Sequence, residues 1–190
     1  MQKQPLSQKK IFIFWAPLAA TWLMMAAEGP FLAAIIARMA NPKFNLAAYG
    51  VAFSFALFLE APIIMIISAS NVLVKGRESY IKLRNFTFLL NGITTFIMIV
   101  LILPPVFNFI TRQLIGLPEN VSQLTHLACV IMLPWPAAIG IRRFYQGILI
   151  RSNLTRRVAY GTIVRLLAMA TTGLICYLRF SLDGATVGAL

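Results

Sequence analysis

The run IFIFWAPLAATWLMMAAEGPFLAAIIA, residues 11–37, decides the fold. Its 27 residues hold one ionisable side chain, Glu28, and about 20 apolar residues of helix suffice to cross the hydrocarbon core of a bilayer. A run this uniformly apolar has no wet face to offer water, so it reads as a membrane span and not as an amphipathic helix of a soluble core. A signal peptide would also pair a basic start with an apolar run, but Met25 is a poor small residue two places before a cleavage at Ala27.

The rest of the chain repeats the pattern. Further apolar runs cover residues 46–74, 86–109, 121–141 and 158–178, each long enough to cross. Residues 1–10 form a polar, basic tail. Near the end, Leu182-Asp183-Gly184 reads as a turn, and residues 184–190 read as the start of a sixth helix. The expected fold class is an all-α integral membrane protein: a polytopic bundle over residues 11–190, with five transmembrane helices and the start of a sixth. Stopping in mid-span is what a fragment of a longer chain would do.

Composition agrees, with 59% hydrophobic and 12% charged residues and a mean hydropathy of +0.81, against roughly 25% charged residues in a soluble domain. A net charge of +12 in a soluble protein would suggest nucleic acid. Here the charges lie between apolar spans, and no stretch outside them is long enough to fold into a reader, so no nucleic-acid partner is expected. The bilayer itself, with its anionic headgroups, is the expected counterpart. Cys129 and Cys176 fall inside spans and read as small hydrophobes. No zinc, phosphate-loop or nucleophile-elbow motif appears, so nothing indicates an enzyme, and no metal or cofactor is expected.

Orientation follows from the short loops. Lys3, Lys9 and Lys10, then Lys75, Arg77, Lys82 and Arg84, then Arg142, Arg143, Arg151, Arg156 and Arg157 fall on one side, twelve in all. Only Arg38, Lys43, Arg112 and Arg179 fall on the other. The N-terminus is therefore expected in the cytoplasm, with the protein multi-pass in a plasma membrane, the bacterial inner membrane being the first choice. Of the three sequons, at Asn85, Asn120 and Asn153, only Asn120 then faces outward.

Several residues are costly at membrane depth. Glu28 and Glu60 lie within spans one and two, where a charge costs about 2.5–3.5 kcal/mol on insertion scales. Each is expected to face the bundle interior or a cavity, where a carboxyl can exchange a proton or bind a cation, or else to serve as a neutral structural partner beside Pro30 or Pro62. Arg165 in span five is the candidate to pair with either. Asn71, with Ser68 and Ser70, forms a polar patch that fits helix packing as well as binding. Gly29-Pro30, Pro62, Pro104-Pro105 and Pro134-Trp135-Pro136 break the spans, which favours a bundle whose neighbours satisfy the freed carbonyls. His126 reads first as an interfacial hydrogen-bonder, and Gly184-Ala185-Thr186-Val187-Gly188 matches a helix-packing pattern too common to carry weight.

The wording Phe14-Trp15-Ala16-Pro17-Leu18-Ala19-Ala20-Thr21-Trp22, then Ala48-Tyr49-Gly50-Val51-Ala52-Phe53-Ser54, resembles the start of the multidrug and toxic compound extrusion (MATE) transporters, within their wider exporter superfamily. Leu133-Pro134-Trp135-Pro136 and Arg142-Arg143-Phe144-Tyr145-Gln146-Gly147-Ile148-Leu149 are similar to the long fourth helix of that superfamily. The progressive-ankylosis-like branch is the nearest in wording. The resemblance implies the N-terminal lobe of a two-lobed exporter, its C-terminal lobe being the missing partner. It further implies alternating access, with small molecules, organic cations or small anions, exported against H+ or Na+. It places Glu28 as the coupling-ion site, although the family usually has Asp there, and Glu60 joins it on its own depth in span two. It puts Arg165 and Arg142 along the cavity or at the substrate, and Asn71 is added to the cavity from its polar patch.

Two other readings stand beside this one: a flippase for lipids or lipid-linked oligosaccharides in the same superfamily, and a non-transporting membrane scaffold subunit. The orientation is testable first. Single cysteines replacing Ser79 and Asn120 in a cysteine-free background should be labelled by an impermeant maleimide from opposite sides of the membrane, with Ser79→Cys reached from the cytoplasm. Labelling of both from one side would overturn the alternation.

Overall fold

The computed structural model describes residues 7–179 and 183–190. Most of the tail expected at residues 1–10, and Leu182 of the expected turn, lie outside the described residues. The described chain is all-helical, in the order α1 (Gln8–Ile36), α2 (Pro42–Ile64), α3 (Ile66–Leu73), α4 (Arg77–Ile102), α5 (Pro104–Asn108), a π-helical turn (Phe109–Leu114), α6 (Glu119–Ile131), α7 (Trp135–Arg151), α8 (Thr155–Arg179) and α9 (Gly184–Ala189). Four helical runs are long and apolar enough to cross a membrane, and a fifth is counted if the bent pair α6–α7 is one span.

Proline sets most of the boundaries. Asn41 adopts the left-handed region at φ 51° and hands the chain to Pro42 in the first turn of α2, a place where the missing N–H costs nothing. Pro62 loosens the next turn, and the helix resets at Met65, so that α2 and α3 together form one span, Pro42–Leu73. Pro104 and Pro105 cannot donate back to α4, and the expected third span, 86–109, instead ends at Ile102 and begins earlier, at Arg77. The carbonyl of Ile102 is left open by this break and accepts a hydrogen bond from His126 Nε2 at 2.8 Å. The lone histidine is thus a hydrogen-bonder to a helix end, its ring edge-on to Phe107 at 4.8 Å. Around Met132–Pro134 the fourth span bends by 45°. It then continues ten residues beyond the expected end at Ile141, to Arg151, because no turn residue interrupts it before Ser152-Asn153.

The core lies where α2, α4, α5 and α6 meet, around Ala52, Ala56, Leu59, Met98, Phe107, Ala128, Cys129 and Met132. Tyr49, Phe53 and Trp135 continue it as a row of rings with centroids 5.7 Å apart at each step. The α1 helix packs mainly on α8, whereas α7 is gripped by α2, α3 and α4. Large apolar side chains point outward along the long helices, Leu23 on α1, Phe88 and Phe96 on α4, Val164 and Leu167 on α8, as a lipid-facing surface requires.

Two glycines let α7 approach its neighbours. A Cβ on Gly140 would overlap the Asn91 amide of α4, and one on Gly147 would overlap the backbone carbonyl of Ile67 on α3. The small-residue pattern at residues 184–188 is also a contact: Gly184 and Gly188 set α9 against Ile36, Asn45 and Tyr49. Asn45, buried, accepts from the Ala185 N–H at 3.0 Å and donates to the Ala40 carbonyl at 2.9 Å, so one side chain holds α9 and the α1–α2 corner together.

Since backbone cannot yield as a side-chain tip can, Gly147→Ala should destabilise the bundle by about 1–3 kcal/mol, the usual range for overpacking. Gly161→Ala, which meets nothing within 4 Å, should leave it unchanged or slightly more stable. Thermal unfolding in lipid nanodiscs checks the contrast.

Candidate functional site

The costly residues of the spans meet inside the bundle. Glu28 on α1 takes both arms of Arg165 on α8, Nη1 to Oε1 at 2.5 Å and Nη2 to Oε2 at 2.6 Å. This parallel fork is the geometry in which a guanidinium matches a carboxylate best. Glu60, near the middle of the α2–α3 span, lies 3.6 Å from Arg143 Nη2 on α7, with the side chains only 8% and 4% exposed. The Arg143 guanidinium also stacks over the ring of Trp22 on α1, 5.7 Å from its centroid. Charge, cation–π attraction and burial therefore tie α1, α2, α7 and α8 at one level.

A third guanidinium joins them. Arg142 is within electrostatic reach of Arg165, Arg143, Glu60 and Glu28, yet among the described residues it has neither a hydrogen bond nor a carboxylate within 4.0 Å. Three arginines and two glutamates leave the cluster with one positive charge in excess. Four of its polar atoms are buried without a partner: the Nε of Arg142, Arg143 and Arg165, and Oε1 of the neighbouring Gln146.

Sequence reasoning had placed Arg142 and Arg143 in a cytoplasmic loop, among the twelve cations that set the orientation. The extension of α7 draws both into the bundle and leaves ten against four, so the bias keeps its sign. It had named Arg165 as partner for either glutamate, and the pairing falls to Glu28. No hydrogen bond or ion pair between described residues joins Asn71 to the cluster. Its backbone carbonyl, with that of Val72, accepts from Arg151 at 2.9 and 3.3 Å, capping the end of α3. Arg143, Gln146 and Trp22 were missed. The available signal was the helical spacing of Gly140, Arg143 and Gly147, which runs on past Ile141 along one face.

Two surface grooves open on the bundle. One, of about 370 Å³, lies between α1 and α8, lined by Met24, Phe31, Leu166 and Met169 with Glu28 on its wall. The other, of about 500 Å³, lies between α4 and α7 over Asn91, Gly92 and Thr95. Among the described residues, no group of three or more His, Cys, Asp or Glu side chains is placed to hold a metal ion. No protein-family model matches the chain, and no curated protein or solved structure matches it.

The Glu60–Arg143 pair should be strongly coupled. Arg143→Leu strands a buried carboxylate and should cost about 3–5 kcal/mol, while the double variant Glu60→Leu/Arg143→Leu should recover most of that loss. Denaturant unfolding of the four proteins of this cycle gives the coupling energy, and additive losses would show the pair to be independent.

Proposed function

We propose that the chain is one lobe of a secondary active transporter that exports small molecules by alternating access, coupled to H+ or Na+ entry. In this reading Glu28 and Glu60 form the coupling-ion site and Arg165 and Arg142 the substrate side. A second lobe faces this one across the pathway, in the manner of the MATE-like exporters that the sequence resembles. The observation that carries the reading is the cluster itself. Ionised groups at membrane depth are retained where they move ions or bind substrates, and here five of them, on four helices, gather within one bundle whose spans are broken at Pro62, Pro104-Pro105 and Pro134. A static anchor needs neither the charges nor the breaks.

The coupling step then uses the Glu28–Arg165 fork as a latch. A proton or sodium ion arriving at Glu28 competes with Arg165, weakens the α1–α8 contact and frees the guanidinium, and departure of the ion restores the fork. Glu60, within electrostatic reach of the same arginine, offers the freed charge a second partner. A lipid flippase is the second reading, favoured by the apolar groove between α1 and α8 that brings hydrocarbon to the Glu28 wall.

Solid-supported-membrane recordings on proteoliposomes test coupling without knowledge of the substrate. Steps of pH or of Na+ should evoke charge movement in the wild type, and Glu28→Gln should abolish it for the coupled ion. Currents equal to those of protein-free liposomes on both steps would overturn the transport reading, and full currents in Glu28→Gln would remove that residue from coupling.

A further inference from the structure

The groove between α4 and α7 is apolar along its walls, with Phe88, Gly92, Phe96 and Ile99 on one side and Ala137 and Ile141 on the other. Its two polar neighbours are closed to an occupant: Asn91 Oδ1 is pressed against Gly140, and the Thr95 hydroxyl is buried as well. Gly92 hollows the floor. Glycine weakens a helix relative to alanine, and at Gly140 and Gly147 a close neighbour accounts for it. At Gly92 none does, since a Cβ there would meet nothing within 4 Å. Open space by itself marks nothing, as Gly29, Gly50 and Gly161 share it; what sets Gly92 apart is its place in the groove between Phe88 and Phe96.

Towards the start of α4 the groove ends in polar and cationic side chains. Arg84 stands one turn before Phe88 on the same helical face and Tyr80 a turn before that, while Tyr145 lies one turn beyond Ile141 on α7. The hydroxyl of Tyr80 interacts with that of Tyr145 and is within electrostatic reach of Arg84. Arg84 donates to the side-chain amide of its neighbour Asn85, Nη2 to Oδ1 at 3.1 Å, and among the described residues no carboxylate lies within 4.0 Å of it. Counted back from the end of α4 at Ile102, the roughly 20 residues that cross hydrocarbon reach Leu83. Arg84 and Tyr80 therefore fall at headgroup level, where basic side chains and aromatic hydroxyls collect. From Phe88 to Ile99 the groove descends about 16 Å at about 1.5 Å per residue, which is about one leaflet's share of the hydrocarbon core.

We propose that this groove holds one resident anionic phospholipid, its phosphate at Arg84 beside the Tyr80 and Tyr145 hydroxyls and one acyl chain laid over Gly92. Charge complementarity selects the occupant. A transmembrane helix fits the apolar length without calling for a cation at its mouth, and a zwitterionic lipid brings a cation of its own to Arg84. The lipid is a fixed companion of α4 and α7 and not a cargo, so the proposal stands apart from the transport reading and from the charged cluster.

Native mass spectrometry of the protein in detergent micelles, titrated with palmitoyl-oleoyl phosphatidylglycerol or its phosphatidylcholine counterpart, tests the site. Phosphatidylglycerol should be retained as a discrete adduct of a single lipid, roughly fivefold more tightly than phosphatidylcholine, the scale of one cation beside an anionic headgroup. Gly92→Leu fills the groove with no neighbour to displace and should weaken retention on the order of tenfold, the scale of a pair of methylene groups denied burial. The same exchange at Gly161, on α8 and outside the groove, should change nothing. Arg84→Gln should remove the preference for phosphatidylglycerol and leave phosphatidylcholine where it was, while Arg156→Gln, on an exposed residue of α8, should keep the preference intact.

Equal retention of the two lipids by the wild type, or undiminished phosphatidylglycerol retention in Gly92→Leu, would overturn the proposal. So would a dimer in lipid-free detergent that Gly92→Leu dissociates, which would assign the groove to a second copy of the chain. If Gly92→Leu does not fold, Arg84→Gln decides alone, and an unchanged preference for phosphatidylglycerol there overturns it.

Discussion

Hydrocarbon offers no partner to a polar group, so whatever the chain places at membrane depth must be satisfied by the chain itself. The organisation of the bundle follows from that constraint. The carbonyl freed at Ile102 is met by His126, the start of α9 by Asn45, and the two mid-span carboxylates by arginines from other helices. Each of these contacts joins elements distant in sequence. The polar residues are few, and they link particular helices, while the apolar majority fills the core and faces the lipid.

Much of this was legible in the sequence, because the constraint acts on the sequence first. Long apolar runs announce the spans, and prolines announce where they break. Glu28, Glu60 and Arg165 stand out against a background with so little charge. The end of the fourth span was harder to read. A basic pair after an apolar run has the same appearance whether it enters the cytoplasm or turns inward to a buried glutamate, and only the position of Glu60 across the bundle settles it for Arg142 and Arg143. The choice of Glu28 over Glu60 as partner of Arg165 was likewise hidden, since it depends on α1 lying against α8, and no local pattern encodes which two distant helices adjoin. The packing of Gly184 and Gly188 was masked by how often that spacing arises by chance; what distinguishes it is the complementary surface of Ile36, Asn45 and Tyr49, visible only in three dimensions.

The bundle divides its labour unevenly. The α7 helix is pinned at Gly140 by Asn91 and at Gly147 by the Ile67 backbone, contacts too close to slide. By contrast α1 packs along α8 with a fork of charged hydrogen bonds within that contact, and meets α7 through one guanidinium over one ring. Backbone-to-backbone packing is insensitive to pH and ions, while charge pairing is not. The charge pairing thus lies between α1 and α8, and the closest glycine packing between α7 and its neighbours α3 and α4.

The placement of Trp22 against Arg143 has an optical side. Indole emission depends on the charge and polarity around the ring, and here the nearest charge belongs to a different helix, at 5.7 Å. With Trp15 and Trp135 replaced by phenylalanine, the remaining fluorophore would report the separation of α1 from α7 directly, in unlabelled protein and in real time. The protein thus carries its own gauge of the contact between α1 and α7.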